Sequence, residues 1–198
     1  IGGQSPGELI LWDLESGEEI RRFEGQLHAT WTAAFSPDGR TLLAGFWQET
    51  GSGGEEDDPL KLFDVESGEI LQRFPENTKH HVFGVAFSPD GRTALSTSML
   101  GVFQWDLQTG EQLQVLEGHK DMVADVSISP DGRRVIAIAG DGQLVLWDLE
   151  TGEAISRFAH DDEGDYEIVT FLPDGRRALS SSGDGSLVLW DLFSGDEI

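Results

Sequence analysis

The protein has 198 residues, of which 38% are hydrophobic, enough for one ordinary core or a short array of small units. Its 37 acidic residues outnumber 13 lysines and arginines, and the net charge of −24 disfavours nucleic acid and membrane surfaces as partners. No apolar run is long enough to span a membrane, and the absence of cysteine excludes disulfides and thiolate metal sites. The acidity favours solubility, with steering of a basic partner as the alternative.

A seven-residue string that begins with an aromatic residue and Asp occurs five times along the chain. The copies are WDLESGE at 12–18, FDVESGE at 63–69, WDLQTGE at 105–111, WDLETGE at 147–153 and WDLFSGD at 190–196. A second string, PDGR, precedes the last four copies, at 37–40, 89–92, 130–133 and 173–176. The aromatic residues are 51, 42, 42 and 43 residues apart, and a period in this range predicts a stacked or radial repeat.

Each period is expected to form four short strands. Between residues 123 and 158, short β-branched and aromatic runs alternate with the turn sequences PDG, GDG and TG, and no stretch has helical spacing. Proline and glycine supply the backbone angles of tight turns. The PDGR turn should therefore join the first strand to the second, and the aromatic–Asp pair should end the third. Such a thin sheet must bury its faces against copies of itself.

Four short strands, this period and a Trp-Asp pair ending the third strand resemble the WD-repeat family of β-propellers, over the whole chain. The resemblance implies an all-β propeller of four-stranded antiparallel blades, an incomplete portion of a seven- or eight-bladed ring. We expect the chain to be a segment of a longer propeller. The expected units are the end of one blade at 1–24, a blade with an acidic insertion at 25–76, blades at 77–117 and 118–158, and a blade lacking most of its outer strand at 159–198.

The resemblance also implies a structural tetrad in each blade, in which His, Ser or Thr, Asp and Trp are joined by hydrogen bonds. The last repeat has the candidates His160, Ser180, Asp184 and Trp190, and the fourth has His119, Asp141 and Trp147. In the fourth repeat Ala137 stands where the hydroxyl should be, so Trp147 needs another acceptor. We expect the N–H of Trp190 to bond to Ser180. These histidines are interpreted as structural rather than catalytic.

Three polar segments could suggest a metal site, but their spacing disfavours one. They are the acids Glu55, Glu56, Asp57 and Asp58 in the insertion 46–59, the stretch HDDEGDYE at 160–167, and the pair His80 and His81. None has the alternating ligands of a calcium loop or the spacing of a zinc site, so solvated loops are the favoured interpretation. No phosphate-binding loop or nucleophile motif occurs. We therefore expect no metal, no cofactor and no enzymatic activity.

A partner site is expected from the positions six and eight residues before each turn proline. These positions are Trp31 and Ala29, Phe83 and His81, Ala124 and Met122, and Glu167 and Asp165. By resemblance they lie near the entrance of the innermost strands, on the face where family members usually bind partners. Trp31, Phe83 and Met122 would form an exposed apolar strip, flanked by His81 and by the acids Asp165 and Glu167. The alternative is that Trp31 and Phe83 pack between sheets.

The resemblance implies a protein-interaction or sensor platform within a larger multidomain protein in the cytoplasm. The PDGR and TGE style of the repeats is similar to that of bacterial signalling propellers. A protein or peptide with a basic segment is the expected partner, together with further blades of the same or another chain. Two alternatives remain, namely a propeller enzyme with an active site at the central mouth, built from groups such as His81, Asp125 and Glu167, and a purely structural assembly through open sheet edges.

Overall fold

The computed structural model describes residues 9–24, 29–47, 58–74, 81–99, 101–159, 167–181 and 184–198. These ranges contain seventeen β-strands and no helix, and hence no helix of the length and hydrophobicity that a membrane span requires. The strands are β1 (Leu9–Trp12), β2 (Glu19–Phe23), β3 (Thr30–Phe35), β4 (Thr41–Phe46), β5 (Leu60–Asp64), β6 (Ile70–Arg73), β7 (Val85–Phe87), β8 (Thr93–Ser98), β9 (Gly101–Asp106), β10 (Gln112–Leu116), β11 (Val123–Ile128), β12 (Arg134–Ala139), β13 (Gln143–Asp148), β14 (Ala154–Ala159), β15 (Val169–Phe171), β16 (Arg177–Ser181) and β17 (Leu187–Asp191).

The strands form five antiparallel sheets in chain order. Three sheets have four strands each, namely β3-β4-β5-β6, β7-β8-β9-β10 and β11-β12-β13-β14. A two-stranded sheet, β1-β2, precedes them, and a three-stranded sheet, β15-β16-β17, follows them. The PDGR turns join the first strand of a sheet to the second, and the aromatic–Asp pairs lie at the ends of the third strands. The predicted all-β architecture of four-stranded antiparallel sheets is confirmed.

The Asp of each aromatic–Asp pair organises the hairpin between the third and fourth strands. The carboxylate of Asp148 accepts the N–H groups of Glu150 and Thr151 at 3.0 and 2.9 Å, and these bonds hold the pKa of Asp148 below its usual range. Gly152 follows with a φ of 72°, a conformation that glycine adopts without strain. The same carboxylate-to-backbone bonding recurs at Asp13, Asp64, Asp106 and Asp191. A turn requirement therefore explains why this part of the string repeats.

The hydrophobic core lies between neighbouring sheets. Ile136, Leu146 and Phe158 of one sheet pack with Val169 and Trp190 of the next, and each further pair of neighbouring sheets has an equivalent cluster. The third-strand aromatic residue is buried at four of its five positions, where Phe63, Trp105, Trp147 and Trp190 are at most 2% exposed. Trp12, in the first sheet, is 50% exposed. Burial of this side chain therefore depends on the sheet that precedes it.

Two neighbouring sheets approach closely where Gly45 of β4 faces Val82, just before β7. A Cβ atom at Gly45 would lie 2.5 Å from Cγ1 of Val82 and 2.7 Å from Cγ2 of Thr32. Both distances are far shorter than van der Waals contact, and the neighbouring atoms belong to short branched side chains. The glycine is therefore required by packing rather than by its backbone angles.

The substitution Gly45→Ala should lower the free energy of unfolding by about 1–3 kcal/mol, because the added methyl group overpacks this contact. Urea titration followed by tryptophan fluorescence would measure the effect. Gly140→Ala is the matched control, since a Cβ there would meet nothing closer than 3.8 Å. Equal stability of the two variants would contradict the expected role of Gly45.

Candidate partner-binding site

The indole N–H groups of the buried tryptophans each find an acceptor. Trp190 donates to the hydroxyl of Ser180 at 2.8 Å, and Trp105 donates to the hydroxyl of Ser96 at 2.9 Å. Trp147, whose repeat has Ala137 in place of the hydroxyl residue, donates instead to the backbone carbonyl of Glu117 at 3.1 Å. An entering loop thus replaces a missing side chain as the acceptor.

Ser180→Ala should lower the free energy of unfolding by roughly 1–3 kcal/mol, because the buried indole N–H of Trp190 would lose its hydroxyl acceptor. Ser186→Ala is the control, because Ser186 is exposed and directly precedes β17, the strand of Trp190. It should change stability by no more than a few tenths of a kcal/mol. Denaturant titration of both variants makes the comparison. A cost for Ser180→Ala as small as that of the control would show that this hydrogen bond contributes nothing.

The expected tetrad is not closed in the fourth repeat. His119 packs against Trp147 with ring centroids 5.4 Å apart, but neither of its nitrogens has a hydrogen-bond partner in the described part of the chain. Asp141 is exposed and accepts only a backbone N–H, that of Gln143, among the contacts described for its carboxylate. The expected hydrogen bond of His119 is not formed within the described part of the chain, where the imidazole ring instead packs at a tilt against the indole of Trp147. His160, the candidate of the last repeat, lies outside the described residues.

Burial of His119 lowers its pKa to about 4, although the charge of Asp141 opposes the shift. The imidazole is therefore neutral in the folded protein at pH values where an unfolded histidine, with a pKa near 6.5, binds a proton. Proton uptake by the unfolded chain then favours unfolding below pH 6.5.

The free energy of unfolding should consequently fall as the pH is lowered from about 6.5 towards 4, and His119→Gln should reduce that fall. Urea titrations of both proteins at pH 7 and pH 4.5 measure the two differences. The turn aspartates, whose pKa values are lowered, lose their contribution only at lower pH and are common to both proteins. An identical change in stability for both proteins would exclude His119 as the titrating group.

Four aromatic rings form a contiguous cluster at the entrance of β3 and β7. This aromatic cluster consists of Trp31, Trp47, His81 and Phe83. Trp31 lies 5.5 Å from Trp47 and 6.2 Å from Phe83 between ring centroids, and His81 is stacked on Trp47 at 3.5 Å. Trp31 is 58% exposed, whereas Phe83 is only 8% exposed. The expected exposure of Phe83 was therefore wrong, because its ring lies beneath its aromatic neighbours and its N–H bonds to Thr97.

Trp47 was not among the residues expected from the sequence. It directly follows the end of β4, and the sequence assigned it to the acidic insertion. Its position could have been predicted, because a residue that directly follows the second strand lies at the same edge of the sheet as the start of the first strand. Asp58 is the described member of the acidic run, whereas Glu55, Glu56, Asp57 and His80 lie outside the described residues.

Trp31 lies on the exposed side of β3, with Ala33 and Phe35, and is the extra residue of a β-bulge. Thr30 pairs with Phe46 and Thr32 with Gly45, so Trp31 has no partner across the ladder. Ala124 occupies the equivalent bulge at the start of β11. The same irregularity thus recurs in two sheets at the same distance from the turn proline.

The residues six positions before the four turn prolines all line one cavity of about 390 Å³. These residues are Trp31, Phe83, Ala124 and Glu167. The other lining residues are Thr32, Met122, Asp125, Gly140 and Ile168. Four successive sheets therefore contribute equivalent positions to a single concave surface. Asp165, the remaining predicted member, lies outside the described residues, and His81 contacts the cavity wall through Phe83.

The acidic side of the cavity is formed by Asp125 and Glu167. Asp125 is half-buried on β11, and its Oδ2 accepts the N–H of Val169 on β15 at 3.0 Å. Burial raises the pKa of Asp125, and the hydrogen bonds from Val169 and Val126 oppose that shift. Glu167 is exposed, and its backbone is fixed by an N–H bond to the hydroxyl of Ser181 at 2.9 Å. The described residues contain no cluster of groups arranged to hold a metal ion.

Known proteins share the repeat that builds this cavity. The family model described as "WD domain, G-beta repeat" matches residues 68–103, 110–148 and 155–191, which is more than half of the chain. The chain belongs to the WD-repeat family. Each matched segment runs from the fourth strand of one sheet through the first and second strands of the next and into its third strand, and the last two segments include the Trp-Asp pairs at 147–148 and 190–191.

Relatives of this WD-repeat protein carry different names. It is 32% identical over 149 residues to WD repeat-containing protein SL1-17 of Schistosoma mansoni, covering 75% of this chain and 46% of the relative. It is 28% identical over 170 residues to Pre-mRNA-processing factor 17 of Homo sapiens, with 81% and 28% covered, and 30% identical over 166 residues to Nuclear distribution protein PAC1 of Arthroderma benhamiae, with 77% and 34% covered. The chain thus spans less than half the length of these three relatives. All three are eukaryotic, which gives no support to the expected bacterial style.

Proposed function

We propose that this WD-repeat protein is a protein-interaction platform whose partner binds at the cavity between Trp31 and Glu167. The observation that carries the proposal is the convergence of equivalent positions from four successive sheets on one concave surface. WD-repeat proteins in general act in protein–protein interaction. A partner that spans several sheets would contact a different side chain from each repeat.

The rim of the cavity has the properties of a binding hot spot. Trp31 is 58% exposed and Trp47 is 37% exposed, so a partner can cover both indoles. Their contacts with Phe83 and His81 hold the rings in place before binding, which reduces the entropy lost when the partner orders them. Covering an aromatic anchor of this kind typically contributes about 2 kcal/mol or more to binding.

The charge of the surface supports a partner with a basic segment. Glu167 is exposed beside the cavity, and the whole chain has a net charge of −24. Attraction of this kind speeds association at low ionic strength and weakens with added salt. A sensor role within a larger signalling protein of the cytoplasm rests on the PDGR and TGE style of the repeats alone.

Two other functions would use different surfaces of the protein. Structural assembly through the ends of the sheet array would use Trp12, which is 50% exposed at the position where later repeats bury a tryptophan. A propeller enzyme would need a reactive group positioned against Asp125 or Glu167, the carboxyl groups that the structure places at the cavity. Within the described ranges no contact favours such chemistry, so the interaction platform is the function that we put forward.

Trp31→Ala should weaken partner binding by at least about 30-fold, which corresponds to the loss of about 2 kcal/mol of contact. Proteins retained by the immobilised protein would first be identified, and the affinity of one purified partner would then be measured for each variant. Trp12→Ala is the matched control, since it removes an indole of similar exposure from a different sheet. Circular dichroism would verify that both variants keep their sheets.

If Trp31→Ala leaves the affinity unchanged, the cavity is not the partner site. If Trp12→Ala alone reduces the affinity, the surface at the start of the sheet array is the interface, and the structural-assembly function replaces the one proposed. Because neither indole is in the buried core, loss of binding in either variant reports on the surface rather than on unfolding.

A further inference from the structure

We propose that the cavity receives a cationic side chain of the partner, held between the ring of Trp31 and the carboxylate of Asp125. This inference rests on the proposed function, because it names the chemistry that the same cavity selects. The proposed occupant is an arginine or lysine side chain from a protein segment. Its positive charge is complementary to the carboxylate of Asp125.

The contact between β11 and β15 does not require the negative charge of Asp125. Asp125 accepts the N–H of Val169, and Ser127, two residues along the same strand, accepts the N–H of Phe171 at 3.1 Å. A neutral hydroxyl thus makes the same bond between β11 and β15 that the carboxylate makes. A charge is not needed for this contact between strands.

Equivalent positions in the neighbouring sheets carry no charge. The residues five positions before the other turn prolines are Thr32, Gly84 and Ile168. Burying part of a carboxylate costs free energy unless a cation or several hydrogen bonds compensate for the lost water. The described ion pairs do not include Asp125, and none of the nine lining residues is a lysine or arginine. A cation supplied by a partner would add to the compensation that the N–H groups of Val169 and Val126 provide.

The apolar residues of the cavity can contact both the methylene groups and the cationic end of a lysine or arginine side chain. The methylene groups of lysine or arginine pack well on Met122 and Ala124, and the indole of Trp31 offers a π-face to the cation. An arginine can stack its planar guanidinium on the indole while its N–H groups donate to a carboxylate. A volume of about 390 Å³ is at the small end of ligand pockets and fits one long side chain better than a folded element.

Close packing next to Asp125 fixes its position. A Cβ at Gly84 would lie 3.0 Å from both Oδ1 and Cα of Asp125 and 3.2 Å from Oγ1 of Thr97. The carboxylate is therefore confined between β7 and β15, with Oδ2 bound to Val169. A confined acceptor gives the site a defined direction for an incoming donor.

The test uses three pentapeptides of sequence Gly-Ser-X-Ser-Gly with blocked ends, in which X is arginine, lysine or citrulline. Citrulline has nearly the shape of arginine and no charge. Binding to the wild-type protein is measured by tryptophan fluorescence at low salt. We expect at least one of the two cationic peptides to bind 10-fold more tightly than the citrulline peptide. Equal affinities of all three peptides would overturn the inference, and this arm needs no variant to fold.

A second arm uses Asp125→Asn, which retains a carbonyl oxygen for the N–H of Val169, with Glu150→Gln as the matched control. Glu150 is an exposed acid in the hairpin turn after β13. Asp125→Asn should weaken binding of the cationic peptides about 10-fold and leave the citrulline peptide unchanged, and Glu150→Gln should change neither. An unaltered affinity of Asp125→Asn for the cationic peptides would contradict the proposed role of Asp125.

The two proposals fail in different ways. If Trp31→Ala weakens binding of the purified partner while arginine and citrulline peptides bind alike, the cavity remains the partner site and the cationic occupant is wrong. If Trp31→Ala leaves partner affinity unchanged, the proposed function itself is wrong.

Discussion

The packing of each sheet against the next is the interaction on which this molecule depends. A sheet of four short strands has two faces to cover and too little core of its own. Covering the third-strand tryptophan alone removes roughly 200 Å² from water, about 5 kcal/mol at 25 cal/mol/Å². The contrast between Trp12 and its buried counterparts shows that the neighbouring sheet supplies this burial. The burial of the aromatic residues and the position of the cavity both follow from the resulting stack.

The regular stacking also determines where a binding surface can arise. Equivalent residues of successive sheets lie side by side, so one position in the repeat is displayed several times on the same face. Backbone N–H groups of β15 bonded to Asp125 and Ser127 hold neighbouring inner strands in register at this face. The cavity is therefore part of the contact between sheets.

The sheets could be predicted from the sequence because their signals are local. The PDGR turns and aromatic–Asp pairs set backbone angles within a few residues, and the period orders the strands. Contacts between residues of different sheets were harder to predict from the sequence. Trp47 and His81 are separated by the insertion, so no fixed spacing relates them. Trp31 and Phe83 occupy equivalent positions, yet only the neighbouring rings decide that one is exposed and the other buried.

The bulge at the entrance of β3 has a consequence for how recognition can vary. Because Trp31 has no partner across the ladder, its side chain can be replaced without disturbing a single strand-to-strand hydrogen bond. The equivalent positions in this one chain already hold an indole, a phenyl ring, a methyl group and a carboxylate. The residue at this position can therefore differ between repeats while the strands beside it are retained. A duplicated sheet of this kind can acquire a new partner one residue at a time.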